Sequence, residues 1–105
     1  MHLIFQSIGN EWGIPVHEVK EVVRFSRLTP LPFVSPKIVG VFNLRGMVVS
    51  VLDASHGDSE ERAVIVIDDR EYHLGILVDK VLEVRRELDG AKPYDLKGVF
   101  QSWIE

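Results

Sequence analysis

The stretch Ile38-Val39-Gly40-Val41-Phe42-Asn43-Leu44-Arg45-Gly46-Met47-Val48-Val49-Ser50-Val51-Leu52 decides the fold. Two apolar runs rich in β-branched residues flank a tight turn at Arg45-Gly46, which is the pattern of an antiparallel hairpin. Both arms are too apolar to be exposed on both faces, so the hairpin is expected in the core. Working outward, Ala63-Val64-Ile65-Val66-Ile67, a turn at Asp69-Arg70 and Tyr72-His73-Leu74-Gly75-Ile76-Leu77-Val78 predict a second hairpin, extended by Val81-Leu82-Glu83-Val84. Toward the start, Leu3 to Ile8 and Glu11 to Pro15 predict a short hairpin about Gly9-Asn10, with Pro15 at a strand end. Val16 opens one helical turn, and Val19, Val22 and Val23 lead a strand into Phe25, because clustered valines suit a pleated surface better than a helix. Leu28 to Pro36 carries three prolines and is expected as an extended connector. Ala54 to Glu61 and Glu87 to Lys97 are expected as loops, and Gly98 to Ile104 as a last strand. Some eight short strands and no long helix predict an all-β antiparallel barrel or pair of barrels.

With 105 residues, 46% apolar and 27% charged, the chain is expected to be a single folded domain spanning residues 1–105. No apolar run approaches the length of a membrane span, and the start lacks the basic and apolar regions of a secretory signal. The absence of cysteine removes disulfides, thiolate nucleophiles and thiolate metal sites, and fits a cytosolic protein. Net charge is −4 and unevenly placed: five basic against three acidic residues up to Leu52, and seven against thirteen from Asp53 onward. Neither half has the block of positive charge that binds a phosphate backbone.

Motifs for catalysis are missing. His17-Glu18-Val19-Lys20-Glu21 resembles a zinc-protease helix, but Glu21 stands where the second imidazole is required. His2, His17, His56 and His73 are far apart in sequence, Gly40 and Gly46 do not have phosphate-loop spacing, and no Gly-x-Ser-x-Gly elbow occurs. Asp53, Asp68, Asp69 and Asp79 lie at expected turns, where carboxylates commonly accept from backbone amides. The sequence therefore reads as a non-enzyme with no cofactor and no metal, and binding is left as the function. The phenylalanines sit among apolar neighbours, which is core behaviour, and basic residues do not interleave with them as in an oligonucleotide-binding barrel. Trp12 and Trp103 could be exposed binding residues or core residues.

The block Gly40 to Asp53, preceded by Leu28-Thr29-Pro30-Leu31-Pro32, resembles the signature of the CheW-like family, which comprises chemotaxis coupling proteins and the matching regulatory domain of chemotaxis histidine kinases. Phe5 with Gly13-Ile14-Pro15-Val16, then Val19-Lys20-Glu21-Val22, then Gly75-Ile76-Leu77-Val78-Asp79-Lys80-Val81 follow in the family's order. The likeness runs from Leu3 to about Val84, and Leu96 to Ile104 match more weakly. It implies two intertwined five-stranded SH3-like barrels with a hydrophobic groove where they meet. It also implies a non-catalytic adaptor that couples a methyl-accepting chemotaxis receptor's cytoplasmic tip to the regulatory domain of the chemotaxis histidine kinase.

Carried over by resemblance, Val19 and Glu21 are the partner-contacting pair, and Arg45, in the turn Asn43-Leu44-Arg45-Gly46, is a structural and signalling arginine. Val78 and Val81 are expected to line the groove with Val19, which makes the partner-binding set Val19, Glu21, Asn43, Arg45, Val78 and Val81. Arg45 could equally be a turn residue tied to a local carboxylate or carbonyl. The implied location is cytoplasmic, with recruitment to membrane receptor arrays but no direct membrane insertion and no nucleic acid. Two departures from the family pattern stand out: Ser50 occupies a common proline position, and family members continue past Ile104 with a strand and short helix. The second barrel is accordingly expected to be incomplete at the C-terminus, with Val99 to Ile104 as an unguarded edge and a homodimer formed by C-terminal strand exchange that buries Trp103. A CheW-like module that self-associates outside receptor arrays is the alternative function, and a nucleic-acid-binding barrel is a third.

Overall fold

The computed structural model describes residues 1–30, 38–68, 73–96, 98 and 99. Among the described residues nine strands follow in order: β1 (His2–Ser7), β2 (Asn10–Pro15), β3 (Val19–Arg24), β4 (Ile38–Leu44), β5 (Met47–Asp53), β6 (Ala63–Ile67), β7 (Leu74–Val78), β8 (Lys80–Arg85) and β9 (Lys92–Pro93). A single 3₁₀ turn at Val16–Glu18 joins β2 to β3, at the place where the sequence predicts one helical turn. The strands form a four-stranded sheet, β8-β1-β2-β9, and a five-stranded sheet, β3-β6-β7-β5-β4. The chain thus starts in one sheet, builds the whole of the other, and returns to the first, which is the intertwining that the family resemblance implies.

The five-stranded sheet closes on itself. Beyond β3 the chain reaches Thr29, which exchanges both backbone hydrogen bonds with Val41 on the outer edge of β4, at 2.8 and 2.9 Å. This single bridge pairs the edge of β4 at Val41. It also explains Gly40, where a Cβ would lie 2.9 Å from the Thr29 carbonyl oxygen and 3.0 Å from Leu28 Cβ. Of the connector, residues 31–37 lie outside the described residues.

Two apolar clusters fill the molecule, and β6 and β7 belong to both. Ile65, Ile67, Ile76 and Val78 join Leu3, Phe5, Ile14 and Leu96 in the first cluster. Val64, Val66 and Leu77 point the other way, into the second cluster with Leu44, Val49 and Val51. Alternation places successive side chains on opposite faces, so two strands act as a wall between two cores and every residue on them is buried. Burying both faces requires an unbroken apolar run, and Ala63 to Ile67 is one.

Several local expectations are corrected. The first hairpin turns at Ile8-Gly9, one residue earlier than Gly9-Asn10, with φ of +48° and +76° and Ser7 paired with Asn10. A β-branched residue at positive φ is unfavourable, and here the Ile8 N–H is held by the Asp79 carboxylate at 3.0 Å. β8 does not extend the β6–β7 hairpin; it pairs with β1, because the chain changes sheets at Asp79. Within the expected loop Glu87 to Lys97, Lys92–Pro93 form β9, parallel to β2. Gly98 and Val99 are helical, not strand: the Asp95 side chain accepts from the Gly98 N–H at 3.0 Å, and the Val99 N–H bonds the Asp95 carbonyl at 3.1 Å. An aspartate capping the first turn in this way favours a helix start, and it removes Gly98 and Val99 from any exchanged strand. Phe100 to Glu105, Trp103 included, lie outside the described residues, as does the expected Asp69-Arg70 turn.

The central hairpin forms as the sequence predicts, with Arg45 and Gly46 at φ +50° and +87°, but only one of its faces is in the core. Val49, Val51 and Leu44 are buried, whereas Val39 and Val48 are 40% and 60% exposed. β4 ends the sheet order with β5 next to it, and neither cluster takes up Val39 or Val48 on their other face among the described residues. Ser50 donates its N–H to the His73 carbonyl at 2.9 Å, a bond that proline at this position could not make.

Candidate functional site

Two of the expected site residues, Val19 and Glu21, flank an irregularity in β3. Its pairing with β6 shifts register between Val19 and Glu21, so Val19 opposes Ile67 and Glu21 opposes Val66. A bulge of this kind re-aims the side chains that follow it. Val19 packs on the first cluster, and beyond the bulge Val23 packs on the second.

Val78 is a member of the first cluster, and Val19 and Val81 pack against that cluster. Val78 has no exposed surface, so it cannot line an open groove, whereas Val19 and Val81 are partly buried. The full burial follows from its place on the two-faced strand β7. Val81, opposite Phe5 on β1, and Val19, at the start of β3, are the accessible apolar members, on edge strands of different sheets.

Arg45 donates from Nη1 to Glu21 Oε2 at 3.1 Å and from Nη2 to Glu21 Oε1, a bidentate pair joining β3 to the β4–β5 turn. Forked guanidinium–carboxylate geometry fixes orientation as well as charge. The hydrogen bond from Arg45, with the nearby positive charge, holds the Glu21 carboxyl below its ordinary range, and the bond to Glu21 raises Arg45. The Arg45 side chain is 69% exposed and that of Glu21 29%, so solvent screens the pair and little of the fold's stability rests on it. Asn43 acts locally, since its Oδ1 accepts the Gly46 N–H at 2.7 Å and so fixes the turn that presents Arg45.

Asp79 contributes more than a turn acid would. Its carboxylate accepts from the backbone N–H of Ile8 at 3.0 Å and of His56 at 2.6 Å, while its own N–H bonds the Gln6 carbonyl at 3.0 Å. One side chain thereby pins the first hairpin and the loop after β5 at the point where the chain changes sheets. Asp53 bonds the Ser55 N–H at 2.9 Å in the same manner. Trp12 is half-buried rather than open, edge-on to Tyr94 with ring centres 5.8 Å apart. Tyr94 in turn meets Phe5 edge-on at 5.4 Å, and burial pushes its hydroxyl pKa up. The histidines do not converge: His17, His56 and His73 are exposed on separate segments, and among the described residues no three His, Asp or Glu side chains could hold a metal ion.

Val19 and Val81 thus lie partly accessible on the first cluster, and the Glu21–Arg45 pair stands exposed to solvent. Residues 2–91 match the model of the CheW-like domain. The chain belongs to the CheW-like domain family. It is 33% identical to the chemotaxis protein CheW of Bacillus subtilis, over 78% of this chain and 57% of that protein. It is 32% identical to CheW of Thermotoga maritima, over 80% and 60%. Protein FrzA of Myxococcus xanthus is 38% identical over 70% of this chain and 51% of its own length. The crystal structure of the scaffolding protein TtCheW from Thermoanaerobacter tengcongensis superposes with a TM-score of 0.72 at 27% identity, covering 80% of this CheW-like chain and 62% of that one. The chain thus spans somewhat more than half the length of the curated relatives it matches. Among its described residues, no helix is long and apolar enough to cross a membrane.

Proposed function

We propose that this CheW-like chain is a non-catalytic adaptor that couples the cytoplasmic helical tip of a methyl-accepting chemotaxis receptor to the regulatory domain of a chemotaxis histidine kinase. It works in the cytoplasm and is recruited to receptor arrays. The observation that carries this reading is the pairing of Val19 and Val81, accessible over one core, with the Glu21–Arg45 pair held open on the surface. An amphipathic helix can bury an apolar stripe on the valines, and a preformed ion pair supplies orientation and partner choice more than raw affinity. The membership of the chain and its named relatives supports the same class of role.

The test uses an immobilised receptor-tip helical hairpin and, separately, the kinase regulatory domain. Val19→Asp is expected to weaken receptor-tip binding by about tenfold or more, since such interfaces rest on a few apolar anchors. Unchanged binding with a folded Val19→Asp protein contradicts the placement. Val78 is not a usable probe, because a charge there enters the core.

A further inference from the structure

We propose that the seam of the five-stranded barrel is a second docking site, for an acidic extended peptide that inserts one aliphatic side chain. Between the chain leaving β3 and strand β4 lies a small open cleft. Its apolar walls are Val23, Phe25, Leu28, Phe42 and Val64. The first four are partly buried side chains at the flank of the second cluster, so the cleft is where that core reaches solvent. The site lies on the other cluster from Val19 and Val81 and goes beyond the adaptor surface.

Charge and backbone identify the occupant. Arg24 and Arg27 line the cleft with exposed side chains, and Arg62 stacks over the Phe25 ring at 4.4 Å. None of the three is in an ion pair among the described residues, although the whole chain carries −4. An acidic partner is therefore favoured at this end despite the net charge. The barrel's closure on this side is a single bridge, Thr29 with Val41, and the backbone groups of Ser26, Arg27 and Leu28 make no hydrogen bond among the described residues. Backbone groups left without partners beside an apolar recess let an added peptide make main-chain bonds and insert a side chain. A basic peptide would meet three uncompensated arginines, and a fully polar one would leave the recess unfilled.

The probe is a blocked heptapeptide of alternating Asp and Glu with a central leucine, titrated into isotopically labelled protein and followed by backbone amide shifts. Shifts are expected at Ser26 to Leu28 and at Val41 to Asn43. Affinity is expected to fall by about tenfold or more when the leucine becomes alanine, when the acids become lysines, or in the Arg24→Glu/Arg27→Glu variant. No shifts at peptide concentrations of about 2 mM would overturn the proposal, as would equal binding of the lysine peptide or shifts centred on Val19 and Val81. The Arg24→Glu/Arg27→Glu variant should keep its receptor-tip binding. Loss of both activities in a folded variant would show that the seam is not a separate site.

Discussion

The two antiparallel strand pairs β4–β5 and β6–β7 have nearly the same apolar, valine-rich composition and opposite fates. Every residue of β6 and β7 is buried, whereas β4 and β5 leave Val39 and Val48 in solvent. Strand order makes the difference: β6 and β7 lie between two clusters, and β4–β5 close the outside of one. β-branched residues report that a segment is strand; how many of its faces are covered depends on which other strands come to lie over it.

The largest effect is expected on the wall. Ile65→Ala, at a fully buried position, should cost about 2–5 kcal/mol and still give one cooperative unfolding transition, because the two cores share β6. Chemical denaturation followed by both far- and near-ultraviolet circular dichroism checks this, and two separated transitions would break the shared-wall picture. Gly40→Ala comes next. Its Cβ meets the Thr29 carbonyl and Leu28, so about 1–3 kcal/mol of overpacking is expected, with faster hydrogen exchange at the Val41 amide. Val48→Thr on the open face should change stability by no more than about 0.5 kcal/mol; a larger loss would mean that the face is covered in solution.

Glu21→Lys is expected to have the smallest effect on stability and a measurable one on binding. Its folded pKa is depressed, so the contribution of the pair is present at neutral pH and is lost as pH falls through that lowered value. Melting of wild type and variant should therefore converge at acidic pH, while kinase or receptor binding by Glu21→Lys stays weakened at neutral pH. A variant that cannot fold would instead make Glu21 a structural residue.

Much of this architecture is legible from local patterns. The central hairpin, the turn at Val16 and the strand into Phe25 follow from β-branched runs and turn residues, and the ordered motifs point to the family. What stays hidden depends on tertiary partners. Ile8 can occupy a positive-φ turn because Asp79, 71 residues away, holds its N–H. Lys92–Pro93 is too short to announce a strand and exists only beside β2. The Asp95 cap at Gly98 is present in the sequence, but the alternating apolar residues that follow it give the stronger strand signal. Resemblance alone singles out Glu21 and Arg45; their pairing follows from barrel closure, which brings β3 against the β4–β5 turn.

The central claim is that the working surfaces lie outside the wall and serve two partners at once. Sedimentation velocity of this chain mixed with a receptor-tip hairpin and a kinase regulatory domain tests it most directly. The account predicts one species containing all three, which disappears with Val19→Asp while the variant stays folded. Separate binary complexes in which the receptor tip and the kinase domain displace one another, or no association with either, would contradict it.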